Sequence, residues 1–294
     1  MRAVEVSGYG DAERLRLAER PEPAAEAGRV PVRVTAAVVN PVDIWTRAGA
    51  MAGQLPGLNP PFLLGWDFAG TTADGTAVAG MVPWFDEGGR TGTYAEALLA
   101  DPAWLTPIPA GVDPVDAATV ALNGLTAQQA LELLALPAGA RLLVTGASGG
   151  VGGFAVQLAA AAGLDVTAVA SGGDEAFVAG LGAKEVLSRG AELPAGAFDG
   201  ALNAASTEGV LAAVRDGGVF VAVTDPSEPR TERGVRVETV HVVPSSAGLA
   251  ALLGELAAGR LVTRVADRLP LTEAAAAHRR VETGGLRGKL VLIP

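Results

Sequence analysis

From the start to about residue 115, apolar positions come in short alternating runs broken by Pro and Gly. "RVPVRVTAAVV", Arg29 to Val39, alternates like a strand with one buried face. "FAGTTADGTAVAGMVPW" sets Asp74 and Gly75 between β-prone residues, which predicts a hairpin. "PAWLTPIPAGVDP" holds too many prolines for a helix. This half reads as mainly β. From Pro114 the period changes. "PVDAATVALNGLTAQQALELLAL" predicts helix, interrupted near Asn123-Gly124. Strand-like and helical runs then alternate. The strands are expected at Arg141–Thr145, Asp165–Ala170, Glu185–Leu187, Gly200–Asn203, Val219–Thr224 and Val235–Val242. The helices are expected near Gly153–Ala162, Asp174–Leu181, Thr207–Val214 and Ser246–Ala258. Such alternation predicts an α/β fold, with a parallel sheet covered by helices on both faces. The tail, "RVADRLPLTEAAAAHRRVETGGLRGKLVLIP", holds one more helix and a last strand. No internal repeat or low-complexity linker interrupts the chain.

The strand at Arg141–Thr145 runs into "GASGGVGG", which has five glycines in eight residues before a helix begins. Glycine loses the most backbone entropy on folding, so a cluster of this kind needs a reason. Gly146, Gly149 and Gly152 form G-x-x-G-x-x-G between a strand and a helix. That context suits a tight turn approached closely by a pyrophosphate, with Gly149, Gly150, Val151 and Gly152 offering helix N-terminal N–H groups. The alternative is a turn that packs helix on strand with no ligand. The next strand ends Val169-Ala170-Ser171-Gly172-Gly173, with no acid at its tip to take ribose hydroxyls. Ser171 and, after the third strand, Arg189 can take a 2′-phosphate, which favours NADPH over NADH. Asp174 and Glu175 lie close by and count against it.

Composition narrows the partners. The chain has 294 residues, 49% hydrophobic and 18% charged, enough for a sizeable core. A net charge of −10 without a basic cluster excludes a nucleic-acid partner. With no cysteine, there are no disulfides, thiolate metal sites or thiol nucleophile, and two histidines, His241 and His278, are too few for a His-rich metal site. No apolar stretch is long enough to predict a membrane span, and the opening "MRAVEVSGYGDAERLRL" has no signal-peptide core. A soluble cytoplasmic protein is expected.

Seven segments in this order resemble the medium-chain dehydrogenase/reductase superfamily, in its zinc-independent, zeta-crystallin-like quinone oxidoreductase branch. They are "AAVVNPVDIWTRAG", "LGWDFAG", "GTYAEALL", "ALNGLTAQQAL", the glycine turn, "LGAKEVL" and "LRGKLVLIP". The resemblance implies a GroES-like β domain from residues 1–115 plus 264–294. It implies a Rossmann domain from 116–263, with the nicotinamide in the cleft between the two domains. It also implies a homodimer through the Rossmann sheet edge, here "GVRVETVHV", which reads equally as an ordinary core strand. In the superfamily's zinc enzymes, Asn40 would be a Cys ligand and Trp66 a His ligand. Neither suits zinc here, so no metal is expected and alcohol oxidation fits poorly. Hydride transfer to a quinone or an α,β-unsaturated carbonyl fits better.

By the same resemblance, Asn40 lies near the nicotinamide and bonds cofactor or substrate. Locally it reads as a cap on the turn before Pro41. Asp43 is expected to be structural. Thr126 matches a residue that contacts the nicotinamide ribose or phosphate, and Asn123 shares its segment, where the alternative is a helix break. Relatives often carry a Tyr shortly after "DxxxRxG", the pattern that Asp43 to Gly49 matches; here there is none, and Tyr9 and Tyr94 are the only tyrosines. No general acid is identifiable. "TTADGTAVAGMVPWFDEGG" reads as a shortened hairpin region that trims the cleft rim. Trp45 and Trp84 are candidate substrate walls, with core packing as the alternative, while Trp66 is expected in the core. His278 is expected at a helix surface or C-terminus. The leading reading is an NADPH-dependent, zinc-free reductase of a quinone or enone. A tailoring enoyl reductase and a non-catalytic NADPH-binding module are the alternatives.

Overall fold

The computed structural model describes residues 1–53, 55, 57–223 and 232–294. The chain divides into two compact units, Met1–Leu122 with Val243–Pro294, and Asn123–Val242. The sequence expectation put these divisions at 115/116 and 263/264. The return point differs because the helix Ser246–Ala257 joins the first unit, where the Thr106 hydroxyl donates to the carbonyl of Ser246 at 3.2 Å.

The first unit is mainly β, as the alternating runs require. Arg2–Val6 pairs with Leu15–Glu19 and with Phe62–Leu63 in a small antiparallel sheet. A larger sheet runs Val265–Pro270, Lys289–Ile293, Val30–Val38, Asp67–Thr72, Ala77–Met81, Leu105–Pro107, with Ala97–Ala100 also paired to Val30–Val38. The hairpin predicted at Asp74-Gly75 joins Asp67–Thr72 to Ala77–Met81. Gly75 takes φ +87°, and the Asp74 carboxylate accepts from the Thr76 N–H at 3.1 Å, so the turn residues do what their chemistry favours. The last strand, Lys289–Ile293, lies against Val30–Val38, which brings the C-terminal tail beside Asn40. Ala36, Val38, Ala69, Val115, Ala118 and Val291 form the core there.

A helix not anticipated from the pattern, Pro41–Ala48, follows the long strand. Its ends are nonetheless written locally. Asn40 is the N-cap in a capping box with Asp43, Pro41 occupies the first turn, and Gly49 closes it at φ +94°.

Among its described residues the second unit holds six parallel strands: Arg141–Thr145, Asp165–Ala170, Glu185–Ser188, Phe198–Asn203, Val214–Ala222 and Arg236–Thr239. Counted along the chain, their order in the sheet is third, second, first, fourth, fifth, sixth. All neighbours are parallel. This is the doubly wound Rossmann order, with its switch point between the first and fourth strands. The fifth strand starts earlier than expected, and Thr224, expected at its end, lies outside the described residues.

The interruption expected at Asn123-Gly124 is absent: Pro114–Leu134 is one helix of 21 residues. Residues 117–127 are all buried. A glycine inside a helix costs about 1 kcal/mol, whereas a break in a buried segment would strand N–H and C=O groups away from water at greater cost.

Candidate functional site

The glycine turn lies at the carboxyl end of the first Rossmann strand, beside the switch point. Three of its glycines meet separate demands. Gly146 takes φ +66°, a left-handed conformation, and a Cβ there would lie 2.9 Å from the Ala205 Cβ. A Cβ on Gly152 would lie 2.3 Å from the carbonyl oxygen of Gly146, so this residue lets the helix approach the turn. Gly149 is different. It is the extended N-cap of the helix Gly150–Ala161, and its Cβ would meet only the Gly146 oxygen, at 3.2 Å. Two glycines therefore serve the fold, while Gly149 keeps the mouth of the turn open. Gly150, Val151 and Gly152 form the first helical turn, where N–H groups have no carbonyl within the helix to bond. Such a terminus is suited to a phosphate, so the residues present fit the dinucleotide that the motif implies.

The ends of the second and third strands meet beside the turn. Ala170 is in register with Ser188, and the Arg189 N–H donates to the Ala170 carbonyl at 2.8 Å. The Ser171 N–H donates to the Ser148 hydroxyl at 3.0 Å, tying this loop to the glycine turn. Arg189 is exposed and makes no ion pair among the described residues. Glu175, which counted against a 2′-phosphate, is engaged: its carboxylate accepts from the Gly173 N–H at 2.8 Å. Asn123 and Thr126 lie almost one turn apart, both buried, on the helix Pro114–Leu134.

The first unit carries a second polar constellation. The Asn40 amide nitrogen donates to Asp67 Oδ1 at 2.8 Å and to the Val38 carbonyl at 3.3 Å, and its oxygen accepts from Lys289 Nζ at 2.7 Å. Two acceptors on one side and an ammonium on the other fix which way the amide points. Asp43 accepts from the N–H groups of Asn40 and Gly65, at 2.9 and 3.1 Å, and from the Tyr94 hydroxyl at 3.2 Å. The Tyr94 hydroxyl also lies 3.2 Å from His278 Nε2. A carboxylate can only accept. With Asp43 ionised, Tyr94 donates to it and His278 Nε2–H donates to Tyr94.

Burial dominates the electrostatics of this cluster. It raises the Asp43 carboxyl to about 7 despite the three donors. Asp67 is also raised to about 7, by burial and the nearby Asp43 charge, with Lys289 opposing. The Lys289 ammonium is pushed down by burial and held up by Asp67 and Asp43. His278 is pulled to about 3 by burial first and Arg47 second, so it is neutral.

Several expectations change here. His278 is fully buried, neither at the surface nor at a helix end; it lies mid-helix in Ala274–Thr283, facing Tyr94. Trp84 has no exposed surface to offer a ligand. Its indole N–H donates to the Leu63 carbonyl at 2.9 Å, and Phe62, Phe85 and Trp66 enclose its ring, so aromatic packing claimed it. Trp66 is a core residue, and Trp45 is 40% exposed. Asn40 is buried, with its side chain committed inside the cluster. Lys289 was missed. The available signal was compositional: of 22 Lys and Arg residues, only Lys184 and Lys289 are lysine.

Residues 26–110 match the alcohol dehydrogenase GroES-like domain, and residues 181–292 match the family described as zinc-binding dehydrogenase. A quinone oxidoreductase from Coxiella burnetii has the same structure over 100% of this chain and 99% of its own, with a TM-score of 0.91 at 26% identity. The chain belongs to the medium-chain dehydrogenase/reductase superfamily, in its quinone oxidoreductase branch.

Two plant relatives bear this out at the level of sequence. A chloroplastic quinone-oxidoreductase homolog of Spinacia oleracea is 32% identical over 203 residues, 64% of this chain. The chain spans 60% of that relative's length. A chloroplastic quinone-oxidoreductase of Triphysaria versicolor is 29% identical over 100% of this chain and 98% of its own. The medium-chain scaffold accounts for both units, a GroES-like β unit and a Rossmann sheet. Among the described residues there is no group of three or more His, Cys, Asp or Glu that could hold a metal ion, and no helix is long and apolar enough to cross a membrane.

Proposed function

We propose that this protein is an NADPH-dependent, zinc-independent oxidoreductase that reduces a quinone or an α,β-unsaturated carbonyl by hydride transfer. The observation that carries the reading is the glycine turn, where Gly149 leaves the N-terminus of the helix Gly150–Ala161 open at the switch point of a Rossmann sheet. The backbone of Gly149, Gly150, Val151 and Gly152 receives the pyrophosphate. Ser171 and Arg189 take the 2′-phosphate, since the loop bears an exposed guanidinium and Glu175, one of the two acids beside it, is bonded to Gly173. Asn123 and Thr126 hold the nicotinamide ribose or its phosphate. Reduced nicotinamide supplies the hydride when bound.

Zinc independence rests on the donor set. Trp66 has no metal-binding atom, and the Asn40 oxygen is already the acceptor of an ammonium. The acceptor class follows, because a conjugated carbonyl needs an oriented hydride and a positive group at its oxygen rather than a Lewis acid. Arg236–Thr239 ends the Rossmann sheet order, and pairing of this edge with a second copy gives the proposed homodimer.

Titration with NADPH and with NADH, followed by nicotinamide fluorescence, tests the cofactor assignment. Tighter binding of NADPH is expected; preference for NADH would remove Ser171 and Arg189 from it. Oxidation of NADPH with a panel of quinones and enones then tests the chemistry. Binding without turnover of any acceptor would favour a dinucleotide-binding module.

A further inference from the structure

The second unit carries a side-chain clasp across its own switch point. Asn203 ends the fourth Rossmann strand and Thr145 ends the first; the two form the last registered pair of these strands. The Thr145 hydroxyl donates to Asn203 Oδ1 at 2.7 Å. The same oxygen accepts from the Thr207 N–H at 3.0 Å, and Asn203 Nδ2 donates to the Thr207 carbonyl at 3.0 Å. One amide thus ties strand to strand and also closes residues 204–207 into a fixed loop. The registered pairs below it, Leu202 with Val144 and Ala201 with Leu143, are apolar, and an apolar pair at the strand ends would hold the sheet as well. Asn203 and Thr145 are both buried, so their polar atoms must be bonded, and those bonds fix direction as an apolar contact does not.

The loop that the clasp holds is built as a wall and not merely as a connection. It packs on the glycine turn: a Cβ on Gly146 would lie 2.9 Å from the Ala205 Cβ and 3.1 Å from the Ala204 carbonyl carbon. Residues 204–206 are Ala, Ala and Ser, small enough to leave the backbone accessible, and Ala205 and Ser206 are exposed. Ser206 takes φ +46°, a left-handed conformation that costs a residue with a side chain of order 1 kcal/mol and persists only where its surroundings impose it. The two hydrogen bonds from Asn203 to Thr207 impose it from the next residue.

We propose that Asn203 is a positioning residue for the dinucleotide: anchored by Thr145, it holds residues 204–207 beside the glycine turn as the wall that seats the nicotinamide mononucleotide half. This rests on the dinucleotide reading above. In an open α/β sheet the crevice for a ligand opens at the carboxyl ends of the strands that flank the switch point, here the first and the fourth. On that reading Ser171 and Arg189, which follow the second and third strands, take the adenosine half on one side of the turn. The fourth strand lies on the other side of the first. A molecule whose pyrophosphate rests on the turn therefore extends its other half over the loop that Asn203 fixes.

Affinities of the full chain for NADPH and for adenosine 2′,5′-bisphosphate, the adenosine half alone, test the role. Asn203→Leu should weaken NADPH about tenfold and leave adenosine 2′,5′-bisphosphate unchanged. The Thr145 hydroxyl reaches the loop through Asn203, so Thr145→Val should weaken NADPH in the same selective way, and Thr145→Ser, which keeps the hydroxyl, should bind as wild type does. Parallel losses for the two ligands would mark a purely structural role and overturn the proposal. Wild-type NADPH affinity in a folded Asn203→Leu protein, or equal losses in Thr145→Ser and Thr145→Val, would overturn it too and leave the dinucleotide reading standing. Where Asn203→Leu does not fold, the two Thr145 variants decide. A wild type that prefers NADH moves the same comparison to NADH and ADP and removes only the 2′-phosphate assignment. A wild type that binds neither dinucleotide sinks the dinucleotide reading, and the positioning role with it.

Discussion

The glycine turn and the polar cluster deal with charge in opposite ways. At Gly146–Gly152 the backbone does the work. Side chains are removed so that N–H groups and the helix dipole face a ligand, and the acidic Glu175 is tied to Gly173 nearby. In the cluster the side chains do the work. Asn40, Asp43, Asp67, Tyr94, His278 and Lys289 bond to one another, leaving Asp67 Oδ2 and His278 Nδ1 buried without a hydrogen-bond partner, and burial moves the titration ranges of Asp43 and Asp67. A backbone site tolerates almost any change that adds no atoms to it. A buried side-chain network is sensitive to the loss of a single partner, because each loss orphans another group.

The largest effects should separate two glycines of the same turn. Gly152→Val places carbon into the Gly146 carbonyl, 2.3 Å from the ideal Cβ, and should cost about 3 kcal/mol or more of stability in denaturant unfolding. Gly149→Val meets that oxygen only at 3.2 Å. It should unfold near the wild-type midpoint while losing about 100-fold in NADPH affinity, about 2.7 kcal/mol. Equal destabilisation of the two variants would erase the division between fold glycines and a binding glycine.

In the cluster, Asp43→Asn should change how stability depends on pH. Asp43 titrates at about 7 in the folded protein against 3.8 in the reference state. The folded state therefore holds this proton more tightly. Its contribution to stability is full below 3.8 and is lost as pH rises to about 7. Wild-type stability should fall relative to Asp43→Asn between those limits and run parallel above them; a parallel course throughout would show that Asp43 is not shifted. Tyr94→Phe should cost about 1–2 kcal/mol, since it removes a donor to Asp43 and leaves His278 Nε2 without its hydroxyl neighbour. The smallest effect is expected at the surface. Arg189→Ala should weaken NADPH binding about tenfold and leave NADH binding and the unfolding midpoint unchanged. An equal loss for both dinucleotides would take Arg189 away from the 2′-phosphate.

The two regions also differed in how readable they were. Gly146, Gly149 and Gly152 are neighbours in sequence, flanked by a strand and a helix that announce themselves by period, so the turn and the alternating Rossmann strands could be read directly. Pro114–Leu134 was misread in one place because Asn123-Gly124 signals a turn wherever water is available, and residues 117–127 are buried. Trp84 and His278 were misplaced for a related reason. A side chain's type predicts its chemistry, but only its neighbours determine whether that chemistry faces solvent.

The sequence by itself determined the two kinds of unit, the hairpin turn at Asp74-Gly75, the glycine turn and the loop that carries Ser171. These depend on local period and backbone freedom, which a short segment contains in full. Only the tertiary structure decided that positions 40, 43, 67, 94, 278 and 289 form one network. Strand pairing brought the C-terminal Lys289–Ile293 beside Val30–Val38, and no local pattern records a contact between residues 249 positions apart. The surroundings of Lys289, buried beside Asp43 and Asp67, follow from that pairing.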